Sequence, residues 1–418
     1  MASTFSERLR PGGAAGAAPD KRPPLAARLA DRIRHGDIGA LPVILGLVAI
    51  AVVFRIANPF FLTPLNLTNL FLQIASIGAI ATGVVLVLLL GEIDLSVGAV
   101  SGLCAAVMAV VVVNHGLPGW LGVVAGLLAG LLIGLFQGAW ITKLRVPSFV
   151  VTLAGYLGWQ GALLWILGNT GTVNLSDPFI VALVNSRLPV WLGWALAAAT
   201  VLAMALGEWR ARMRRAGAGL PAEGSGRVAL VVLRSAVLLA AVLLMSLNRN
   251  PRGNPPIAGV PTGVFIVLVL IALLDFVTTR TRFGRYVFAV GGSAEAARRA
   301  GIPVDRVRIA VFALASGLAA AGGLLAASRL YAVNQSSGGG DVLLNAIAAA
   351  VIGGTSLFGG RGSTWSALLG ALVIGAIANG MDLLAFASSV RFMITGAVLL
   401  AAVTLDSYAR SRREQFGR

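Results

Sequence analysis

The sequence predicts an all-α, polytopic membrane protein with ten to twelve transmembrane helices, and three observations carry that prediction. Of 418 residues, 57% are hydrophobic and only 12% are charged, with a mean hydropathy of +0.88. Soluble domains lie near roughly 45–50% apolar and about 25% charged. The apolar residues are gathered into repeated runs of about 17–25, the length that crosses a hydrocarbon core. Short loops between the runs hold most of the basic residues, as orientation in a membrane requires.

Taken in order, residues 1–39 are rich in Pro, Gly, Ala and Arg. They lack the apolar core of a signal peptide and read as a disordered cytoplasmic arm. Apolar runs of helical length follow near residues 40–57, 67–90, 96–113, 119–141, 148–168 and 190–207. Six more lie near 229–247, 263–278, 309–328, 345–357, 365–381 and 391–406. Re-entrant segments among the twelve would reduce the crossings to ten. Together they form one membrane domain, residues 40–406, with a cytoplasmic tail at 407–418. An amino terminus inside places Lys143, Arg145, Arg210 to Arg215, Arg280 to Arg308, Arg361 and Arg410 to Arg413 on the cytoplasmic side. Arg187, Arg249, Arg252 and Arg329 fall on the other, so the positive-inside bias is strong but incomplete.

Two polar regions interrupt the alternation. Residues 208–227, EWRARMRRAGAGLPAEGSGR, read as an arginine-rich cytoplasmic loop joining two halves of a bundle. The later outer loop NRNPRGNPPIAGVPT is too rich in Pro and Gly for helix. The other region is the cytoplasmic segment 278–309, where Ser293 is a good N-cap and Glu295 falls in a first turn. Alanines 294, 296, 297 and 300 favour helix, and Gly301 with Pro303 stops it. The resulting helix of about two turns is too short to be stable alone in water. Either the membrane domain beneath it or a partner above must hold it.

Small residues recur along the runs GLLAGLLIG (126–134) and GALVIGAIANG (370–380), which lets helices approach closely in lipid. There is also a weak internal echo. Residues 76–102 and 345–370 each join two small-residue-rich apolar segments through a polar, glycine-flanked turn.

Several classes of function are excluded. Cys104 is the only cysteine and His35 and His115 the only histidines, so no disulfide, cysteine zinc site or histidine-based hydrolytic centre can be built. No catalytic constellation, metal-ligand set or cofactor motif is present, and the chain reads as a transporter component and not an enzyme. A GxxxxGK[ST] phosphate loop is missing, with Lys21 and Lys143 the only lysines. A pump built on this chain borrows ATP hydrolysis from another chain or uses an ion gradient. The net charge of +17 and pI near 11.6 fit membrane orientation and anionic lipid headgroups. Nucleic-acid binding would need a basic face with interleaved aromatics, which is lacking.

The polar residues that remain inside or beside apolar runs are the site candidates. In GEIDLSVGAV (91–100), Asp94 stands where its carboxylate can accept the orphan N–H groups of the following helix, next to Ser96. A part in gating or subunit coupling, or in a proton relay, is the alternative for Glu92 and Asp94. Asn69, Gln73, Gln137, Asn345 and Asn379 can line a path for a hydroxyl-rich solute, or equally hydrogen-bond between helices.

Five motifs in order resemble one family. GEIDLSVGAV, KLRVPSFVVTLAG (143–155), TRFGRYVFAVGGSAEAARRAGI (281–302), AAAVIGGTSLFGGRGS (348–363) and IANGMDLL (377–384) are similar to the permease subunit of bacterial sugar-importing ABC transporters, the ribose, xylose and galactose group. The arginine-rich WRARMRRAGAGL (209–220) and the VPSFVVTLAG run are most similar to its xylose branch. The resemblance implies an inner-membrane homodimer with both termini cytoplasmic. It also implies a cytoplasmic ATP-binding subunit and a periplasmic sugar-binding protein. The cargo it implies is a pentose, xylose first, with ribose or galactose as alternatives. An ion-coupled secondary sugar transporter is the rival of another class. Gly291 to Ile302 then corresponds to the helix that couples to the ATPase, with Ser293, Glu295, Arg298, Arg299 and Gly301 as its functional residues. The chain departs from the family at 343–345, where Leu343 and Asn345 replace an acidic pair and Asp341 is the nearest carboxylate.

Overall fold

Helices made mostly of Ala, Gly, Val and Leu pack backbone against backbone, so the runs richest in small residues become the centre of this molecule. A computed structural model describes residues 41–168, 171–219, 226–248 and 257–416. The arm at 1–39, residues 249–256 of the outer loop NRNPRGNPPIAGVPT and residues 220–225 of the arginine-rich stretch lie outside the described residues. The first part comprises α1 (Leu41–Ala57), α2 (Pro64–Leu89), α3 (Val97–Val113), α4 (Gly119–Lys143), α5 (Ser148–Leu167), β1 (Thr172–Asn174) and α6 (Pro178–Asn185). Next come α7 (Val190–Gly217), α8 (Gly226–Ser246), α9 (Thr262–Arg280), α10 (Arg282–Gly292), α11 (Ala294–Arg299) and α12 (Val304–Leu330). The chain continues with β2 (Ala332–Asn334), α13 (Gly340–Ile352), α14 (Thr364–Leu383) and α15 (Ser388–Phe416). Among the described residues, eight helices are long and apolar enough to cross a membrane, and four further apolar helices are shorter.

The centre is α12, against which α2, α3 and α4 pack. Burial follows position, covering 78% of the apolar span of α2 but 11% of those of α7 and α8. Along α4, glycines at every fourth position face α12. A Cβ on Gly130 would lie 2.6 Å from the Ala320 Cβ, one on Gly138 2.8 Å from the Ile309 Cα, and one on Gly134 would overlap the Phe312 carbonyl. In lipid such close approach, with its dispersion contacts, is what holds helices together. Gly134→Leu is therefore expected to force the two axes apart and cost about 1–3 kcal/mol or more. A thermal melt of the purified protein lowered by several degrees checks it, and an unchanged melt contradicts the packing.

The fold is all-α as expected apart from one short ribbon, and three elements differ in detail. In the ribbon, β1 and β2 pair antiparallel, Thr172 opposite Asn334 and Asn174 opposite Ala332. The chain leaving α5 thereby satisfies backbone groups of the chain leaving α12. The arginine-rich stretch, expected as a loop from 208, continues α7 to Gly217, with Arg212 paired to Glu208 at 3.5 Å. Glu, Arg, Met and Ala are good helix formers, and hydropathy marks only where lipid contact ends. The helix expected at 345–357 lies at Gly340–Ile352, after which residues 353–363 turn. In the segment 278–309, the two-turn helix is joined by α10, whose Gly284, Val287 and Val290 are buried, and by an earlier start of α12.

Candidate functional site

At the α11 end of the bundle, three stretches of chain meet backbone to backbone. The Gly360 amide donates to the carbonyl of Leu89 at the end of α2, at 2.9 Å. Gly291, near the end of α10, lies so close that a Cβ would overlap that same carbonyl. A Cβ on Gly359 would lie 2.7 Å from the Gly291 carbonyl oxygen. The turns of the two echoing segments, residues 90–96 and 353–363, therefore touch each other and the end of α10, which leads into α11.

The short helix α11 is closed at both ends by its own sequence. Ser293 Oγ accepts from the Ala296 amide at 3.2 Å. At the other end Gly301, at φ +80°, lets its amide donate to the Arg298 carbonyl and that of Ile302 to the Ala297 carbonyl, a Schellman motif. Ala297 is buried and anchors the helix to the bundle. Glu295, Arg298 and Arg299 point outward; Arg299 meets Glu295 at 3.1 Å, and Arg298 lies 3.7 Å from Asp305. Such exposed pairs contribute little to the fold, about 0–1 kcal/mol each, and leave the charges accessible to a partner.

The strap from Glu92 to Ser96 leads from the Gly91 turn into α3. Glu92 pairs with Arg308, in the first turns of α12, at 2.9 Å. The Leu95 amide donates to Thr152 Oγ1 at 3.1 Å, and the Ile93 amide to Ser148 Oγ at 3.4 Å, both on α5. Asp94 is buried, and its Oδ1 accepts from the amide (2.8 Å) and hydroxyl (2.6 Å) of Ser96. This corrects the expected capping. Asp94 holds the residue that enters α3 and takes no N–H of the first helical turn, and Ser96 at the N-cap makes no side-chain cap. Burial pushes the Asp94 carboxyl, which lies outside the spanning helices, above the usual carboxylate range, against the pull of the Ser96 hydroxyl and amide. Asp94→Ala is expected to lose about 1–2 kcal/mol with these bonds. Asp94→Asn retains an accepting oxygen and should be milder, as thermal melts of both variants would show. Severe transport loss with normal assembly in the Asn variant would mean that the charge itself is used.

The path candidates do not converge. Gln137 is buried on α4 and donates to Ser96 Oγ at 3.0 Å, which places it in the strap network. Asn379 is buried on α14 and accepts from Asn66 Nδ2 at 2.7 Å. Both make the interhelical bonds of the alternative reading. Asn69 is exposed on α2, while Gln73 on α2 and Asn345 on α13 are half-buried. Among the described residues no hydrogen bond joins any two of the five. Sequence reasoning missed Arg308, Ser148 and Thr152 as partners of the strap. Their only signal is a polar side chain near a helix start, which many residues share.

Among the described residues, eight long and four short apolar helices, with a capped charged helix at one end, make an α-helical protein that spans a membrane many times. The family described as branched-chain amino acid transport system / permease component matches residues 66–403. The chain is 38% identical over 356 residues, covering 84% of it and 87% of the relative, to the xylose transport system permease protein XylH of Escherichia coli. It is 35% identical over 374 residues to XylH of Haemophilus influenzae, covering 88% and 96%. With the ribose import permease protein RbsC of Bacillus subtilis it shares 33% over 371 residues, covering 89% and 94%. No solved structure matches it. The chain belongs to the permease family of sugar-importing ABC systems and is a multi-pass inner-membrane protein.

Proposed function

We propose that this chain is the translocating subunit of an ATP-driven importer for a pentose, D-xylose first. The observation that carries the reading is α11, a helix with both ends capped and its charged face turned outward on a three-way backbone junction. A helix so held is a rigid contact for a partner. The partner is an ATP-binding subunit on the cytoplasmic side, where both termini also lie. Differential affinity of that subunit's nucleotide states for two conformations of the permease moves the equilibrium between inward- and outward-open forms. A periplasmic sugar-binding protein delivers the cargo at the ribbon end, and a second copy of the chain completes the path. The path candidates Asn69, exposed, and Gln73 and Asn345, half-buried, are the polar side chains offered to that path.

Xylose is favoured by the identity to the XylH proteins. The similarity to the ribose permease and to the L-arabinose transport system permease protein AraH of Escherichia coli keeps other pentoses as competitors. The test is uptake of labelled D-xylose by cells lacking their own pentose transport and supplied with this chain, its ATP-binding subunit and its binding protein. Uptake that excess unlabelled xylose suppresses and equal ribose, arabinose or galactose does not is the expected result. Suppression by ribose or arabinose alone would reassign the cargo.

A further inference from the structure

The junction occupies one half of the protomer, and a cavity of about 220 Å³ lies in the other. Its volume is far above the ~15 Å³ a single water needs and below the ~300 Å³ at which pockets for drug-sized molecules begin. One monosaccharide is of that size class. The cavity is bounded by α2, α3, α12 and the segment that follows β2, and its polar lining is Ser76, Ser101, Asn334, Ser336, Ser337 and Asp341.

The segment after β2 is what shapes it. Residues 335–339 dip onto α3, where a Cβ on Gly98 would lie 2.8 Å from the Gly338 carbonyl oxygen and one on Gly102 would overlap that of Ser337. Only then does α13 begin, 13 residues long, or about 20 Å, too short to cross a bilayer by itself. The exposed polar groups of this stretch, Asn334, Ser336 and Asp341, stand at the rim of the cavity.

The lining chemistry narrows the occupant. Ser101 Oγ donates to the Gly98 carbonyl at 2.6 Å, which leaves its lone pairs as acceptors. Asn334 Oδ1 accepts from the amide and hydroxyl of Ser336 at 3.0 and 2.9 Å, which leaves its amide nitrogen as a donor. Asp341 makes no hydrogen bond or ion pair among the described residues, and a carboxylate accepts from two hydroxyls at once. Neither Lys nor Arg lines the cavity, and the Asp341 charge repels anions. Mixed donors and acceptors, one carboxylate and an otherwise apolar wall of Ala, Ile and Leu suit the hydroxyls and C–H faces of an uncharged sugar.

We propose that this cavity is a receiving subsite for one neutral monosaccharide in each protomer, with Asp341 accepting from a pair of adjacent hydroxyls. The proposal rests on the importer reading and adds to it a site inside the single chain. The full-length chain in nanodiscs, without its binding protein, is titrated with D-xylose and with ribose 5-phosphate by equilibrium dialysis. Weak, saturable xylose binding and no binding of the phosphate are expected. Binding should fall about tenfold in Asp341→Asn, the effect of one lost charge-assisted hydrogen bond, and as far in Ala326→Leu, which fills the cavity. Uptake by the assembled importer should drop in parallel, with unchanged recovery of the ATP-binding subunit. If Ala326→Leu fails to assemble, Asp341→Asn, which alters charge and not shape, carries the test. Absence of xylose binding, equal binding by wild type and Asp341→Asn, or binding of the phosphate overturns the subsite. A wild-type importer that takes up no sugar with ATP overturns the importer reading instead.

Discussion

Replacing Arg298 and Arg299 together by Glu is expected to strip the ATP-binding subunit from the purified complex while leaving the permease folded. Both side chains are more than half exposed, at 59% and 79%, and their partners Glu295 and Asp305 are equally open at 63% each. Pairs of this kind typically contribute about 0–1 kcal/mol, so the melting temperature should move by only a few degrees. A partner seated on α11, by contrast, would meet reversed charges on a helix that cannot rearrange, because its caps and Ala297 fix its orientation. Recovery of the ATP-binding subunit in co-purification should fall at least about tenfold, about 1.4 kcal/mol of lost affinity. Full recovery would show that α11 is not the contact.

Gly291→Val carries the second large effect, and it acts on the permease itself. Its Cβ would be driven into the carbonyl of Leu89 and come within 2.8 Å of the Gly360 amide nitrogen. Both obstacles are backbone, so no rotamer change relieves them. The end of α10 must lift away, breaking the contact that joins α11 to the two turns. A loss of about 1–3 kcal/mol in stability is expected, together with loss of transport even where the ATP-binding subunit still binds. Gly292→Ala is the internal control. A Cβ at Gly292 meets nothing within 4 Å, so that variant should fold and transport as wild type. Equal behaviour of the two variants would contradict the junction's role.

What could be read from the sequence is what depends on local chemistry. Apolar length marks a membrane helix, and Ser293 with Gly301 marks the ends of α11, because caps act within a few residues of where they sit. The glycine runs on α4 and α14 could be read as packing faces for the same reason. Partners distant in sequence could not. Glu92, which had no assigned partner, is paired with Arg308, and nothing local to either residue indicates the other. Asp94 stood at a plausible capping position, yet the chain turns at Ser96 in a way that spends its carboxylate one residue early. The echo of residues 76–102 in 345–370 is local; that Leu89, which leads into the first turn, accepts from Gly360 in the second could be learned only from the structure. The polar extension of α7 and the three-residue strands carry no apolar period to detect.

On the proposed function, this chain is expected to move sugar only when driven through its α11 end by ATP hydrolysis on another chain. The most direct test is sugar uptake into sealed proteoliposomes that hold the permease with or without the ATP-binding subunit, with loaded binding protein on the side of the ribbon end. The expected result is D-xylose accumulation that requires the subunit and ATP together and that survives collapse of ion gradients. Accumulation by the permease alone under a proton or sodium gradient would contradict it.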